Sequence, residues 1–268
     1  MITICIFGII KSEKEVNLSG FLTFDLTGGG IFIYDICNNI IQEVEVVGYE
    51  ELSNITKYVS TNNSFYCTGV HNEEYYLIEV INNSVVHSWK LPQKPVGISV
   101  FNENAIIVLD DKVVLLNKKT REIRDILKDS GINCCIAYEN SFVLWGDETY
   151  YICNLYNDDI IIGDSQLHDS SLRPLCMINA ESLLMAKMSY CKLYNLNLTT
   201  NMITDTNYDI GETYPKIALG NNVICLYESN YEYQCKFWVY QIDKNKLGAL
   251  DLPDDLLSAI NLEWVNCE

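Results

Sequence analysis

The chain has 268 residues, 49% of them apolar, and a formal net charge of −18 from 36 acidic against 18 basic residues. The length fits one large all-β domain or two ordinary ones, and the apolar share suffices for a sizeable core. Affinity for nucleic acid comes largely from Lys and Arg releasing counterions, so a chain this acidic with no basic block is not expected to bind nucleic acid, nor an anionic membrane surface.

The first segment, Met1-Ile2-Thr3-Ile4-Cys5-Ile6-Phe7-Gly8-Ile9-Ile10, has signal-peptide length but no basic n-region and no small-x-small site after it. It is too short to span a bilayer. Its β-branched content reads as a strand of the fold, with the mature protein expected to start at Met1.

From residue 21 onward a pattern recurs: an apolar run, then about ten residues later a second apolar run ending in a tight polar turn. The second run reads Ile33-Tyr34-Asp35-Ile36-Cys37-Asn38-Asn39, then Leu77-Ile78-Glu79-Val80-Ile81-Asn82-Asn83, then Val114-Leu115-Leu116-Asn117-Lys118-Lys119-Thr120. It returns at Tyr151–Asp158, at Leu193–Thr200 and at Val239–Asn245. With Tyr34, Ile78, Leu115, Ile152, Leu193 and Val239 equivalent, the steps are 44, 37, 37, 41 and 46 residues. Units of about 40 residues built from short strands mark a β-propeller.

Each unit divides into four strands. Innermost strands follow a Pro or a polar turn, as at Pro95–Val100, Pro174–Ile178 and Pro215–Leu219. Second strands lie at Phe21–Phe24, Phe65–Cys67, Ala105–Leu109, Phe142–Trp145, Leu183–Ala186 and Val223–Tyr227. The recurring runs are the third strands. The fourth strands, such as Ile41–Val46 and Arg121–Ile126, are more polar, as an edge facing water requires. The expected architecture is one all-β domain over residues 1–268, a six-bladed β-propeller of four-stranded antiparallel blades with its ring closed by terminal strands. Ala259–Val265 reads as the innermost strand of the first blade, by its spacing, and Ile2–Ile9 as the alternative. A solenoid would need polar caps that the ends do not supply.

The unit Pro215-Lys216-Ile217-Ala218-Leu219-Gly220-Asn221-Asn222, followed by Val239-Tyr240-Gln241-Ile242-Asp243 and Leu247, resembles the repeat of YVTN-like and NHL-like propellers. No Trp-Asp ends a third strand and no Gly-His opens a blade, unlike the WD40 pattern. The Asp-box of sialidase-type propellers is also absent. The resemblance implies the fold and brings no active site with it.

Chemical motifs are sparse. His71, His87 and His168 share no ligand spacing and read as solvated loop residues. Thr27-Gly28-Gly29-Gly30 joins two strands without a following helix, so it lacks the helix N-terminus that binds phosphate. No phosphate loop, dinucleotide fingerprint or nucleophile elbow is present, and no metal or cofactor is expected. The eleven cysteines include no Cys-x-x-Cys. Scattered through apolar runs, they are expected to be free thiols in a reducing cytoplasm, with Cys134 and Cys135 pointing to opposite faces of one strand.

One pattern carries more. In a propeller the loops joining strands two and three, and those joining blades, emerge on one face. Here they bear Glu73, Glu74, Asp110, Asp111, Asp147, Glu148, Glu228 and Glu232, with further acids between blades. Tyr231 and Tyr233 stand in the longest of these loops. Tyr75, Tyr76, Tyr150, Tyr190 and Tyr227 lie near equivalent ones, either on the rim or buried at the start of the third strand. The opposite turns carry Lys118, Lys119, Arg121, Lys244 and Lys246. Like charge gathered on one face steers basic partners, and Tyr combines apolar area with a hydroxyl at recognition surfaces. The expected function is therefore a non-catalytic scaffold binding a basic protein or peptide. The alternative is a propeller-type lyase or hydrolase acting on a sugar or small cationic substrate at the channel mouth. The partner's identity and the oligomeric state are not legible.

Overall fold

The computed structural model describes residues 21–26, 30–59, 62–129, 131–156, 159–162, 166–167, 169, 171–187, 192–209, 217–220, 223–229, 235–241, 246–251 and 259–265. The expected N-terminal strand at Ile2–Ile9 lies outside them.

Three sheets follow the expected unit without change, each with four antiparallel strands in chain order. The first contains β4 (Glu50–Val59), β5 (Ser64–His71), β6 (Glu74–Ile81) and β7 (Ser84–Lys90). The second contains β8 (Pro95–Phe101), β9 (Asn104–Leu109), β10 (Val113–Asn117) and β11 (Ile123–Leu127). Another contains β17 (Leu172–Asn179), β18 (Ser182–Lys187), β19 (Lys192–Asn197) and β20 (Met202–Asp209). Between the last two in sequence, β12 (Ile132–Tyr138), β13 (Ser141–Gly146), β14 (Thr149–Tyr156) and β15 (Asp159–Ile162) form a sheet joined by the two-residue β16 (Gln166–Leu167).

The first and last described strands come together in a fifth sheet of eight strands. One half is β1 (Phe21–Leu26), β2 (Ile31–Asp35) and β3 (Ile40–Val44), with β25 (Ala259–Val265) on the inner side of β1. The other half is β21 (Ile217–Gly220), β22 (Val223–Ser229), β23 (Cys235–Gln241) and β24 (Lys246–Asp251). The C-terminal strand thus pairs antiparallel with β1, Phe21 opposite Val265. It also pairs parallel with β21, Ala218 opposite Leu262. The expectation of six separate blades is corrected here: the described strands form five sheets, because that parallel pair fuses the first and last four-strand sets. The described strands form an all-β propeller ring.

The core lies between sheets rather than inside one. Phe101, Ile106, Val108 and Leu115 pack against Phe142, Leu144 and Cys153 of the next sheet. Ala105, Ile107, Leu109 and Val114 face the other way, toward Leu77 and Trp89. Every residue of β9 is buried. A strand covered on both faces is predominantly apolar, which is why runs such as Ala105–Leu109 and Phe142–Trp145 read as unbroken hydrophobic stretches. Cys134 and Cys135 point to opposite seams as expected, the first packed with Trp145 and Met177, the second with Phe142. Cys37, expected beside an apolar run, is exposed in the turn after β2. It and the other described cysteines, Cys67, Cys134, Cys135, Cys153 and Cys176, are free thiols. Burial pushes the thiols of Cys153 and Cys176 up to about 12, so both stay protonated and inert.

The innermost strand β4 is irregular. Against β5 its pairs run Glu50–Val70, Ser53–Thr68, Thr56–Tyr66 and Val59–Ser64, three residues on β4 for every two on β5. Three successive bulges result. Glu51 and Asn54 take left-handed backbone there, with φ of 48° and 52°.

Candidate functional site

Hydrogen bonds sort the loops onto two faces. His71, the last residue of β5, bonds through Nδ1 at 2.5 Å to the carbonyl of Gly48 in the β3–β4 connection. A carbonyl only accepts, so Nδ1 carries the proton, and Nε2 accepts from Asn72 Nδ2 at 2.9 Å. Gln93, between β7 and β8, donates to Asp111 in the next turn at 2.6 Å. Asn133 donates to Asp147 at 2.8 Å. These contacts place the strand-two-to-three turns together with the connections between sheets. On the other face, a residue at the end of the third strand donates to the preceding turn: Lys118 N to Glu103 O, Leu155 N to Asn140 O and Leu198 N to Glu181 O, each 2.8 Å.

The acidic turns differ in how far they are engaged. Glu74 is bound by Lys90 Nζ at 2.5 Å and by the Tyr76 hydroxyl at 2.9 Å. Those two donors hold its carboxyl below the usual range. Asp111 and Asp147 accept the amide bonds just described. Glu73, Asp110 and Glu148 are exposed and make no hydrogen bond or ion pair among the described residues. Glu228 lies within β22 opposite Lys236 in backbone register, with its side chain outside the described set. Tyr231, Glu232 and Tyr233 also lie outside it, as do Tyr190 and His168.

The expected rim tyrosines divide. Tyr150 is buried at 2% exposure and stacks on Trp145, ring centroids 5.1 Å apart, so it belongs to the core. Tyr75 and Tyr76 are half-buried at the start of β6. The tyrosine that does reach this face is Tyr49, which sequence reasoning passed over. It packs on His71 and Tyr76, with centroids 5.5 and 5.7 Å away. It also walls a cavity of about 330 Å³ lined by Glu43, Glu45 and Glu51, with Val44, Val46 and Leu52 beneath. A single polar-flanked tyrosine in a connection carries no periodic signal, and only the fold brings these acids around it.

The opposite face holds a different arrangement. Lys118 turns back into the preceding seam, with Nζ 4.3 Å from the centre of the Tyr66 ring and 2.9 Å from its hydroxyl. Tyr66 donates to Glu79 Oε1 at 2.8 Å, and His87 Nδ1 sits 3.0 Å from the other carboxylate oxygen. Trp89 Nε1 closes the group on the Lys118 carbonyl at 2.9 Å. Lys118 is thus a seam residue and not the free surface lysine expected from the sequence.

Among the described residues no group of three or more His, Cys, Asp or Glu side chains could hold a metal ion. No described helix is long and apolar enough to cross a membrane.

No protein-family model matches the chain, and no curated protein matches it. Solved structures do. Hsv2 of Kluyveromyces lactis superposes with a TM-score of 0.56 at 11% identity, covering 90% of this chain and 77% of that one. A second structure of the same protein, with its loop 6CD complete, gives 0.53 at 12% identity over 83% and 71% of the two chains. Apo AztD of Citrobacter koseri gives 0.49 at 10% identity over 92% and 98%. At such identities the likeness concerns the fold alone, and the chain is a β-propeller protein.

Proposed function

We propose that this propeller is a non-catalytic scaffold whose acidic face binds a basic protein or peptide. The observation that carries the reading is the repetition of an exposed, unpaired carboxylate, Glu73, Asp110 and Glu148, at the same turn of three successive four-strand sets. Carboxylates without partners among the described residues, on a chain of net charge −18, hold a negative potential over that face, and such a potential accelerates encounter with a cation. The cavity beside Tyr49 adds an apolar floor and three carboxylates, which suit the stem and head of a Lys or Arg side chain. Among the described residues, Asp35, Glu74 and Asp169 have their carboxyls displaced downward by hydrogen bonds, which keeps them ionised and able to attract a cation. The working compartment in this reading is the cytoplasm.

The test is fluorescence anisotropy with a labelled Lys/Arg-rich peptide. Affinity should fall steeply with salt, since exposed charges are screened over about 8–10 Å at physiological ionic strength. Reversal of Asp110, Asp111, Asp147 and Glu148 to Lys should slow association, while K119E on the opposite face should change little. A peptide whose affinity ignores the acidic reversals and collapses with K119E would overturn the assignment.

The same reading includes the ring's closure. We infer that β25 closes it, supported by that strand's pairing with both β1 and β21.

A further inference from the structure

The connection between β3 and β4 caps one seam of the ring on the acidic face. Val44, Val46 and Leu52 are buried in that seam with Ile33, Phe65 and Ile78. Between them the chain makes a tight turn. Tyr49 N–H donates to the Val46 carbonyl at 3.2 Å, and Gly48 takes a φ of 86°, which glycine adopts without strain. The turn holds Val47 out at 90% exposure. Beside it lies the cavity of about 330 Å³, walled by Gly30, Glu43, Glu45, Tyr49 and Glu51.

The make-up of this cavity restricts the cation that fits. Glu43, Glu45 and Glu51 are exposed and make no hydrogen bond or ion pair among the described residues, so their charge is open to a ligand. Yet no three acids among the described residues lie close enough together to hold one metal ion. A compact cation, metal or ammonium, therefore meets only part of this charge. A guanidinium spreads five N–H donors over a rigid plane and reaches separated carboxylates at once. Tyr49 adds a half-buried ring to the wall, braced by His71 and Tyr76 with centroids 5.5 and 5.7 Å away. Guanidinium stacks on such a ring more readily than the strongly hydrated ammonium. Below, Val44, Val46 and Leu52 are 5%, 5% and 7% exposed, an apolar floor for a methylene stem.

We propose that this cavity selects arginine over lysine and is where an arginine of the basic partner anchors. The inference rests on the acidic-face reading above and names the side chain that the partner inserts. Val47 at the lip gives an apolar contact to the residues flanking that arginine. The carboxylates spread over the other turns attract either basic residue, and the cavity discriminates between them.

The test is fluorescence anisotropy on the full chain with two labelled peptides, identical except that every basic residue is Arg in one and Lys in the other. The Arg peptide should bind at least about tenfold more tightly. E45Q with E51Q keeps side-chain shape and removes charge, and Y49L keeps apolar packing and removes the π face. Each variant should bring the two affinities to within about threefold of each other. E122Q, in the turn after β10 on the other face, should leave the ratio as in wild type. Melting curves check the fold of Y49L, and the exposed pair E45Q with E51Q decides if Y49L does not fold. Equal wild-type affinities, a preference for Lys, an Arg preference that survives E45Q with E51Q, or no binding of either peptide overturns the proposal. Equal affinities that still fall with salt would sink this inference alone and leave the acidic-face scaffold standing. An Arg preference that depends on the cavity but ignores reversal of Asp110, Asp111, Asp147 and Glu148 would do the opposite.

Discussion

Lys118, Leu155 and Leu198 occupy one structural position, each donating its backbone N–H to the preceding turn. Leu155 and Leu198 pack into hydrophobic seams, whereas Lys118 carries a charge into the same place. Burial lowers its pKa, opposed by the nearby carboxylates Glu79 and Glu103, so the ammonium is worse off folded than in water. A basic group with a depressed folded pKa binds fewer protons folded than unfolded, so this position destabilises below the folded pKa. The penalty fades as pH rises through the folded pKa toward the unfolded value of about 10.4. K118L should therefore melt at or above the wild-type temperature at pH 7, and the gain should shrink by pH 10. Tyr66 still has Glu79 as acceptor in that variant. A marked loss of stability at pH 7 would show that the contacts with Tyr66 outweigh desolvation. Asp169 gives the opposite sign. The Ser171 hydroxyl and backbone N–H, and then Lys187, hold its carboxyl down to about 2. Its contribution is present above the unfolded value of about 3.9 and is lost as pH falls through about 2. The difference in melting between wild type and D169N should accordingly be seen at pH 7 and vanish near pH 2.

At the scale of an element, β4 shows how a strand can be long and still be poorly written in the sequence. Glu50–Val59 has no clean alternation, because its bulges insert a residue at every third position and a bulge breaks the period of two. Polar groups hold it in place. Asn54 Nδ2 donates to Thr68 Oγ1 at 3.0 Å, and Thr68 Oγ1 donates to the Ser53 carboxamide oxygen of the backbone at 3.0 Å. Thr68 is buried, so losing these bonds leaves polar atoms dry. Asn is also among the side chains that tolerate a left-handed φ. N54A, which loses both the bond and the conformational preference, should destabilise by about 1–3 kcal/mol in denaturant titration. N54G, which keeps the backbone freedom, should lose less. Equal losses would mean that the backbone conformation contributes nothing.

For the whole molecule, the proposed closure predicts that β25 sets the stability of the ring. Removing residues 259–268 would strip the inner partner from both β1 and β21, exposing two edges at once. The melting temperature of the entire protein should fall, and an unchanged melt would reject β25 as the closing strand. Binding carries a second whole-molecule expectation. Charge reversals on the acidic face should act on the association rate, since they alter long-range attraction. Y231A with Y233A should act on the dissociation rate, as loss of buried anchors does. Stopped-flow kinetics with the basic peptide separates the two effects.

Strand positions were legible in the chain because they depend on local pattern. The apolar runs at Ala105–Leu109, Phe142–Trp145 and Leu183–Ala186 fall within β9, β13 and β18, and Ala259–Val265 matches β25. Turn placement followed, and with it the acids at Glu73, Asp110 and Glu148, since a turn's face depends only on strand order. What the pattern could not contain was contact between distant segments. The parallel pairing of β21 with β25, which makes five sheets where six were expected, joins residues about 40 apart and leaves no periodic trace. The place of Tyr150, open between rim and core, and that of Tyr49, to which the pattern gave no role, were settled for the same reason: only the packing of one sheet on the next buries the first and leaves the second at a cavity wall. The amino-acid sequence by itself determined the strands and the turns that join them. The tertiary structure alone decided which sheets merge, which lysine enters a seam and which polar groups meet around a cavity, because those outcomes depend on contacts across the ring rather than along the chain.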